Sequence, residues 1–403
     1  MSFLGSFGGA GRAGAALFRH RMISATAGTA AAVIVAGCAF AATSAHGSGP
    51  AKLVNAGDSK SISKSAPSAP PLRLLSVSPS GGAKDANGGA PVTLKFSAPL
   101  SPTTPLPTLS PKVAGSWQVS GATATFTPSS GFLPDTKVKL AIPGTMTGSA
   151  GGTLTTASSV SFTTGTYSTL RLQQVLAQLG YLPLTWTPTA PGSAPSASAG
   201  VNGQVTDAYA PPSGTFTFKP GYPSQLTSQW AVGQSNMLDV GAIRAFEYNE
   251  GLTMDGVAGP EVWAHLLTAA AKDKVNPSGY TYALASQDSP DETLKVWHNG
   301  KLILDTPSNT GIAGANTQDG TFPVYEKLQF QIMRGTNPDG SKYADPVYWI
   351  SYFNGGDAVH YFDRASYGFY QSLGCVELPL TPAKFIYPYL TYGTLVTVTG
   401  PVA

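Results

Sequence analysis

The chain has 403 residues, enough for two to four domains of about 100–200 residues each. Only 11% of its residues are charged, the formal net charge is +3, and no dense basic stripe interleaves with aromatics, which argues against a nucleic-acid-binding protein. Its 46 glycines and 33 prolines suit short strands, turns and linkers better than long charged helices.

Arg12, Arg19, His20 and Arg21 lead into an uncharged apolar run, Ile23–Ala45. A basic flank before such a run predicts an export segment over residues 1–45. The run is also near the roughly 20 residues that span a bilayer, so an uncleaved anchor fits as well. "AFA" at Ala39–Ala41 has the small-x-small form of a cleavage site. "VAGC" at Val35–Cys38 resembles a bacterial lipoprotein box, which would make Cys38 a lipidated N-terminus. The cleaved, lipidated and anchored forms are not separated by sequence. Each form predicts export of the rest of the chain, which is then secreted, lipid-anchored or held outside the cytoplasmic membrane. Residues 46–71 are a Ser/Pro/Ala/Gly/Lys segment without hydrophobic periodicity and read as a flexible linker.

From 72 to 165 the residues alternate with a period of two. "VTLKF", "SWQVS", "TATFT", "KVKLAI" and "VSFTT" are short strands separated by Gly/Pro/Ser clusters, the pattern of a β-sandwich. "SVSPSGGA" and "FTPSSGFLPDTKVKLAI" resemble a bacterial immunoglobulin-like domain, which implies a spacer or interaction module.

Residues 167–272 change character. "STLRLQQVLAQLGY" sets Leu172, Val175, Leu176 and Leu179 on one helix face, with Ser168 as N-cap and Gly180 as stop. "DVGAIRAFEYNEGL", carrying Val240, Ile243 and Phe246, and "GPEVWAHLL", opening on Pro260, predict two more helices and thus a small three-helix bundle. Leu172-Gln173, Gly180-Tyr181, Phe246, Gly251-Leu252, Asp255-Gly256 and Gly259-Pro260 resemble the peptidoglycan-binding domain of cell-wall hydrolases. That resemblance implies peptidoglycan as a partner. Two features depart from it: Glu247 stands where the pattern has Gln, and residues 183–236 form a long insertion that reads as a loop, a hairpin or a contact surface.

Residues 280–403 return to strands. In "LKVWHNGKLILDTP", Asn299-Gly300 between two apolar runs is a hairpin turn, because both turn residues need positive φ. "TQDGTFPVYEKL", "YWISYF" and "GTLVTVTG" predict further strands and "TPAKFIYPYL" one helix. The fold class is therefore multidomain and mainly β.

The chemistry turns on "QSLGCVELP". Its Cys375 and the N-terminal Cys38 are the chain's two cysteines, and His360 stands 15 residues before Cys375. A thiol becomes a nucleophile when a base takes its proton, and histidine does this best near neutral pH. Backbone N–H groups in a turn at Gly374 and Cys375 suit a developing oxyanion. The plain alternative is a cysteine buried as a small hydrophobe and a histidine satisfied in the core. Carboxylates at Asp357, Asp363 and Glu377 also raise a glycosidase pair, for which nothing else in the chain speaks. Five histidines and two cysteines are scattered without ligand spacing, so no metal or cofactor is expected.

Gly355 to Val398, together with the hairpin and "TQDGTFPVYEK" upstream, resembles the catalytic domain of L,D-transpeptidases, the YkuD-type fold. The resemblance implies Cys375 as nucleophile, His360 as general base, Ser372 and Gly374 as motif and oxyanion support, and Tyr352, Gly356 and Tyr361 as substrate contacts. It implies 3→3 cross-linking of peptidoglycan stem peptides through a cysteine thioester. Water as acceptor would make a carboxypeptidase, and a protein amine would make a protein anchor. Three residues depart from the motif: Leu373 replaces a histidine, Tyr361 follows His360 in place of Gly or Ser, and Glu377 replaces Arg or Asn. Together the departures suggest a divergent subfamily, with an inactive wall-binding protein as the rival reading.

Overall fold

The computed structural model describes residues 69–190 and 200–401. The expected export segment with Cys38, and residues 46–68 of the expected linker, lie outside the described residues.

The first strands are β1 (Leu74–Ser78), β2 (Val92–Phe96), β3 (Thr108–Ser110), β4 (Gly115–Ser120), β5 (Thr123–Pro128), β6 (Lys137–Ile142) and β7 (Ser158–Thr163). They form two antiparallel sheets, ordered β1-β2-β5-β4 and β3-β6-β7. The alternation in β6 explains the sandwich: Val138, Leu140 and Ile142 point inward while Lys137 and Lys139 face water. They meet Leu94, Phe96, Phe126 and Phe162 in one core. Each such side chain contributes about 1.5–3 kcal/mol by leaving water. The periodicity did not disclose β1 and β3, because both are short sheet-edge strands left half exposed.

Next come α1 (Thr169–Gln178), β8 (Leu184–Pro188), α2 (Gly200–Tyr209), β9 (Gly214–Phe218), α3 (Ser224–Thr227), α4 (Met237–Glu250) and α5 (Pro260–Ala271). Ser168 occupies the N-cap of α1 but its side chain makes no capping bond. α4 begins two residues before the expected Asp239. There Asn236 Oδ1 accepts from the Leu238 and Asp239 N–H groups (3.0 and 3.3 Å) and Asp239 Oδ2 accepts from the Asn236 N–H (3.1 Å). This reciprocal box satisfies N–H groups that the first helical turn leaves free. α4 ends on Gly251 at φ 70°, a conformation glycine adopts without steric cost.

The helices number more than the three expected. Residues 183–236 supply α2, which packs with α1 and α5, and the β8–β9 hairpin, whose Trp186 and Phe216 cover the same core. "GVNGQVTDAY" has poor helix propensity, so α2 rests on tertiary burial of Val205 and Ala208 rather than on its own sequence. It also ties the helices to the sandwich: Tyr209 Oη donates to Phe132 O (2.9 Å) and Asn87 Nδ2 to Thr206 O (3.0 Å).

The remaining elements are β10 (Thr281–Ser286), β11 (Thr293–His298), β12 (Lys301–Pro307), β13 (Thr310–Gly311), β14 (Gly320–Pro323), β15 (Glu326–Thr336), β16 (Lys342–Asn354), β17 (Asp357–Tyr361), β18 (Tyr370–Ser372), β19 (Val376–Leu378), α6 (Leu380–Ile386) and β20 (Leu395–Thr399). A sheet ordered β12-β11-β10-β20-β14 packs on one ordered β15-β16-β17-β19 through Ala283, Val296, Val359, Val376, Leu378 and Val398. The β11–β12 turn has Asn299 at φ 49° and Gly300 at φ 77°, as its sequence requires. The first sheet shares a core with the helices through Tyr282 and Leu395. There α4 and the loop before β20 approach so closely that a Cβ on Gly393 would lie 2.2 Å from Gly241 O.

Glu247 is fully buried, and its Oε2 accepts from the Gly256 N–H (2.9 Å). Burial pushes its carboxyl up to about 7, and the same cause brings Asp239 up to about 6. Near neutrality Glu247 is thus close to half protonated, and its protonated form is close in shape and charge to glutamine. A carboxyl with a raised folded pKa holds its proton better in the folded state, so stability falls as pH rises from about 4.5 to about 7. Glu247→Gln removes that part of the decline. Thermal melts from pH 4.5 to 8 should therefore fall less steeply for the variant, with Asp239 and Asp357, both pushed up to about 6 by burial, contributing to the slope that remains. Parallel wild-type and variant curves would show that Glu247 is ionised throughout.

Candidate active site

Strand geometry sorts the residues around His360. Successive side chains of β17 point to opposite faces. Val359 and Tyr361 face the inter-sheet core, while Ala358 packs with Tyr352 and Cys375 on the outer face. Parallel pairing of β17 with β19 sets Val359 opposite Val376 and His360 opposite Glu377. Cys375, one residue before Val376, thereby arrives at the same outer face as His360. Both line a cavity of about 560 Å³. The long β15–β16 hairpin walls it with Met333, Tyr343, Asp345 and Val347. Leu373 and Ile312 form an apolar side.

The turn before β19 is held from within. Ser372 Oγ donates to Cys375 O (2.6 Å) and accepts from the Gly374 N–H (3.2 Å). Gly374 has φ 115°, and a Cβ there would lie 2.5 Å from Asp357 Oδ1, so glycine is required twice over. The Gly374 N–H, expected as an oxyanion donor, is already engaged by Ser372.

His360 is 3% exposed, and its Nδ1 lies 3.0 Å from Tyr361 O. A carbonyl only accepts, so Nδ1 carries the proton and Nε2 keeps its lone pair. Burial, with Arg364 assisting, lowers the His360 pKa against the opposing pull of the Tyr361 carbonyl and Glu377. The imidazole is therefore neutral, and available as a base, at neutral pH.

Cys375 is half-buried and its Sγ donates to Gly356 O (3.7 Å). Burial pushes its thiol up to about 12; the Asp357 and Glu377 carboxylates add to the rise and the Ala358 N–H opposes it. The resting site is a neutral thiol beside a neutral imidazole, not a preformed ion pair.

Glu377 answers a question left by the sequence. Arg364 grips it with two bonds, Nε to Oε2 and Nη2 to Oε1, each 2.8 Å, and Asn309 Nδ2 donates to Oε2 (3.3 Å). The charge that replaces the motif's Arg or Asn is neutralised by a cation 13 residues upstream, and Arg364 Nη2 also holds Gln371 O (2.9 Å). Such bidentate pairs are directional and fix the backbone that bears them.

Of the expected site residues, Cys375, His360 and Gly356 line the cavity. Ser372 and Gly374 shape its turn. Tyr352 lies on the same face but donates to Gln331 Oε1 (2.6 Å), and it is not a lining residue. Tyr361 belongs to the opposite face, its ring 6.2 Å from that of Trp349. Asp363, on the loop after β17, is exposed, whereas Asp357 lines the cavity with its carboxyl pushed up to about 6 by burial. Sequence reasoning overlooked the contribution of β15–β16. The period-two runs Leu328-Phe330-Ile332 and Tyr343-Asp345-Val347 were the available signal.

Removing one partner of a buried pair leaves a bare charge, so Arg364→Ala should cost about 3 kcal/mol in denaturant melts. Arg364→Met with Glu377→Leu should recover most of that loss. Equal destabilisation by the single and double changes would mean the pair is not the stabilising contact. For the thiol, iodoacetamide labelling of Cys375 should accelerate through pH 10 without levelling off. A plateau below pH 9 would reveal a resting thiolate.

Residues 284–398 match the family of L,D-transpeptidase catalytic domains (YkuD), and residues 68–164 match the bacterial Ig-like domain family. No curated protein matches the chain. Among solved structures, the L,D-transpeptidase from Mycobacterium smegmatis is 14% identical, with 82% of this chain and 100% of that chain covered at a TM-score of 0.28. L,D-transpeptidase 3 from Mycobacterium tuberculosis, solved with a faropenem-derived adduct, is 14% identical over 81% of this chain and 98% of that chain, TM-score 0.28. The catalytic domain of the E. faecium L,D-transpeptidase is 27% identical over 30% of this chain and 96% of that chain, TM-score 0.27. At such scores the superpositions carry no weight, and the assignment rests on the family matches. The chain is thus a mainly-β multidomain protein with an Ig-like domain and an L,D-transpeptidase catalytic domain.

Proposed function

We propose that this chain is an exported L,D-transpeptidase that forms 3→3 cross-links in peptidoglycan through a thioester on Cys375. The observation that carries the reading is the meeting of Cys375 and His360 in one cavity, inside the segment that matches the catalytic family. Sγ attacks the carbonyl at the L-centre of the diamino acid in a tetrapeptide stem while His360 Nε2 takes the thiol proton. The oxyanion falls to the Cys375 N–H, since Ser372 holds that of Gly374. Collapse breaks the bond to D-Ala, whose amine leaves with the proton from His360. The amine of a second stem then attacks the thioester and gives up a proton to His360, which returns it to the departing sulfur.

An amine acceptor, rather than water, is favoured by the carboxylates of the cavity. Arg364 is committed to Glu377, whereas Asp345 and Asp357 have no ion-pair partner among the described residues. Their field suits an incoming ammonium group. Leu373, in place of the motif histidine, leaves His360 as the base. On this reading the helical module of residues 167–272 docks on peptidoglycan, with the protonated form of Glu247 standing in for glutamine, and the Ig-like domain is a spacer.

Purified wild type and Cys375→Ala, incubated with disaccharide-tetrapeptide and read by mass spectrometry, test the reaction. A dimer lacking one D-Ala should form with the wild type alone. His360→Gln should slow it by about 10²–10⁴-fold. D-Ala loss without dimer would instead make the chain a carboxypeptidase. No product, from a folded protein whose Cys375 resists faropenem, would make it a wall-binding protein.

A further inference from the structure

Behind the catalytic turn lies a second concavity of about 420 Å³, set between the helical module and the catalytic domain. The helices contribute Arg244 and Met254; the sheets contribute Tyr325, Asn354 and Gly355, with Pro323 and Phe353 beneath. Arg244 is half-buried on α4, and its Nε is buried without a hydrogen-bond partner. No ion pair among the described residues includes it. Its charge acts on Glu247 only weakly beside the effect of burial, and Glu247 Oε2 is turned toward the Gly256 N–H rather than paired with Arg244. A half-buried guanidinium whose Nε has no hydrogen-bond partner suits an anion in the groove it lines, and its planar fork fits a carboxylate best.

The concavity and the catalytic cavity share one stretch of backbone. Gly355 lines the first and Gly356 the second, where its carbonyl takes the Cys375 thiol. Tyr325 Oη donates to Gly355 O, and Asn354 Nδ2 donates to Asp357 Oδ2 (3.4 Å). The helical module cannot slide away from this turn. Gly241 and Gly393 are in backbone contact, and the rings of Tyr248 and Tyr392 stack at 4.5 Å. Arg244 is therefore fixed beside the site by the packing of a different module.

We infer that Arg244 and the groove it lines form a carboxylate-binding subsite, through which the helical module reads a free carboxylate of the peptide whose carbonyl is presented to Cys375. The inference rests on the peptide substrate proposed above. It makes Arg244 a specificity residue contributed from outside the segment that matches the catalytic family.

The test uses the full chain carrying Cys375→Ala, which stops turnover, with and without Arg244→Gln. Each protein is titrated calorimetrically with disaccharide-tetrapeptide as the free acid and with its carboxyl groups amidated. The Arg244 protein should bind the free acid at least tenfold tighter than the amide. Arg244→Gln should bind both forms as weakly as the amide, and its unchanged affinity for the amide shows that the groove is intact. Arg244→Lys, which keeps the charge and loses the fork, should fall between. A preference for the free acid that survives Arg244→Gln, or the lack of one in the Arg244 protein, overturns the inference. Failure to bind either peptide overturns it too. Formation of a faropenem adduct on Cys375 in the wild type would then show whether the catalytic reading stands without it.

Discussion

The parallel pairing of β17 with β19 is the constraint on which the site depends. It is three residues long, and a slip of one residue would send His360 or Cys375 to the wrong face. So short a ladder needs support from outside itself. Glu377 gives it: the backbone exchanges bonds with Asn309 (3.0 and 2.9 Å), and the side chain is gripped by Arg364 and Asn309. The residue that looks most foreign to the motif is thus the one that locks the register of the strand following the nucleophile.

That arrangement has an electrostatic consequence. A carboxylate beside a thiol opposes ionisation, and here burial and Asp357 act in the same direction. Lowering the His360 pKa by burial brings the pair to a neutral resting state. Such a cysteine is protected from stray electrophiles and oxidants, since these react with the thiolate. In the proposed reaction a carbonyl delivered into the cavity would change the balance, because the proton would pass to Nε2 only as charge develops on sulfur and oxygen together.

The helical module packs continuously with the catalytic domain. Its core continues into the first sheet of the catalytic domain, and α2 joins it to the sandwich. Glu247 and Arg244 lie one turn apart on α4, and they illustrate two fates for a charge at a domain boundary. Glu247, fully buried, holds its proton up to about pH 7; Arg244, half-buried, faces a groove.

Much of this was legible in the chain. Period-two alternation marked β2, β4, β5 and β6, the apolar face of α1 marked its helix, Asn299-Gly300 marked its turn, and the residues around His360 and Cys375 carried the resemblance to the catalytic family that the chain then matched. These signals are local: each follows from the steric preferences of a few neighbouring residues. Tertiary structure alone decided the rest. "GVNGQVTDAY" became α2 because neighbouring helices bury Val205 and Ala208. The pairing of Arg364 with Glu377, the capture of the Gly374 N–H by Ser372 and the placing of Tyr361 on the far face all depend on the path of the chain between distant residues. The protonation states of Cys375, His360 and Glu247 depend on burial. Residue types along a sequence state which groups can ionise or bond, but only the fold sets the dielectric around them and the partners within reach.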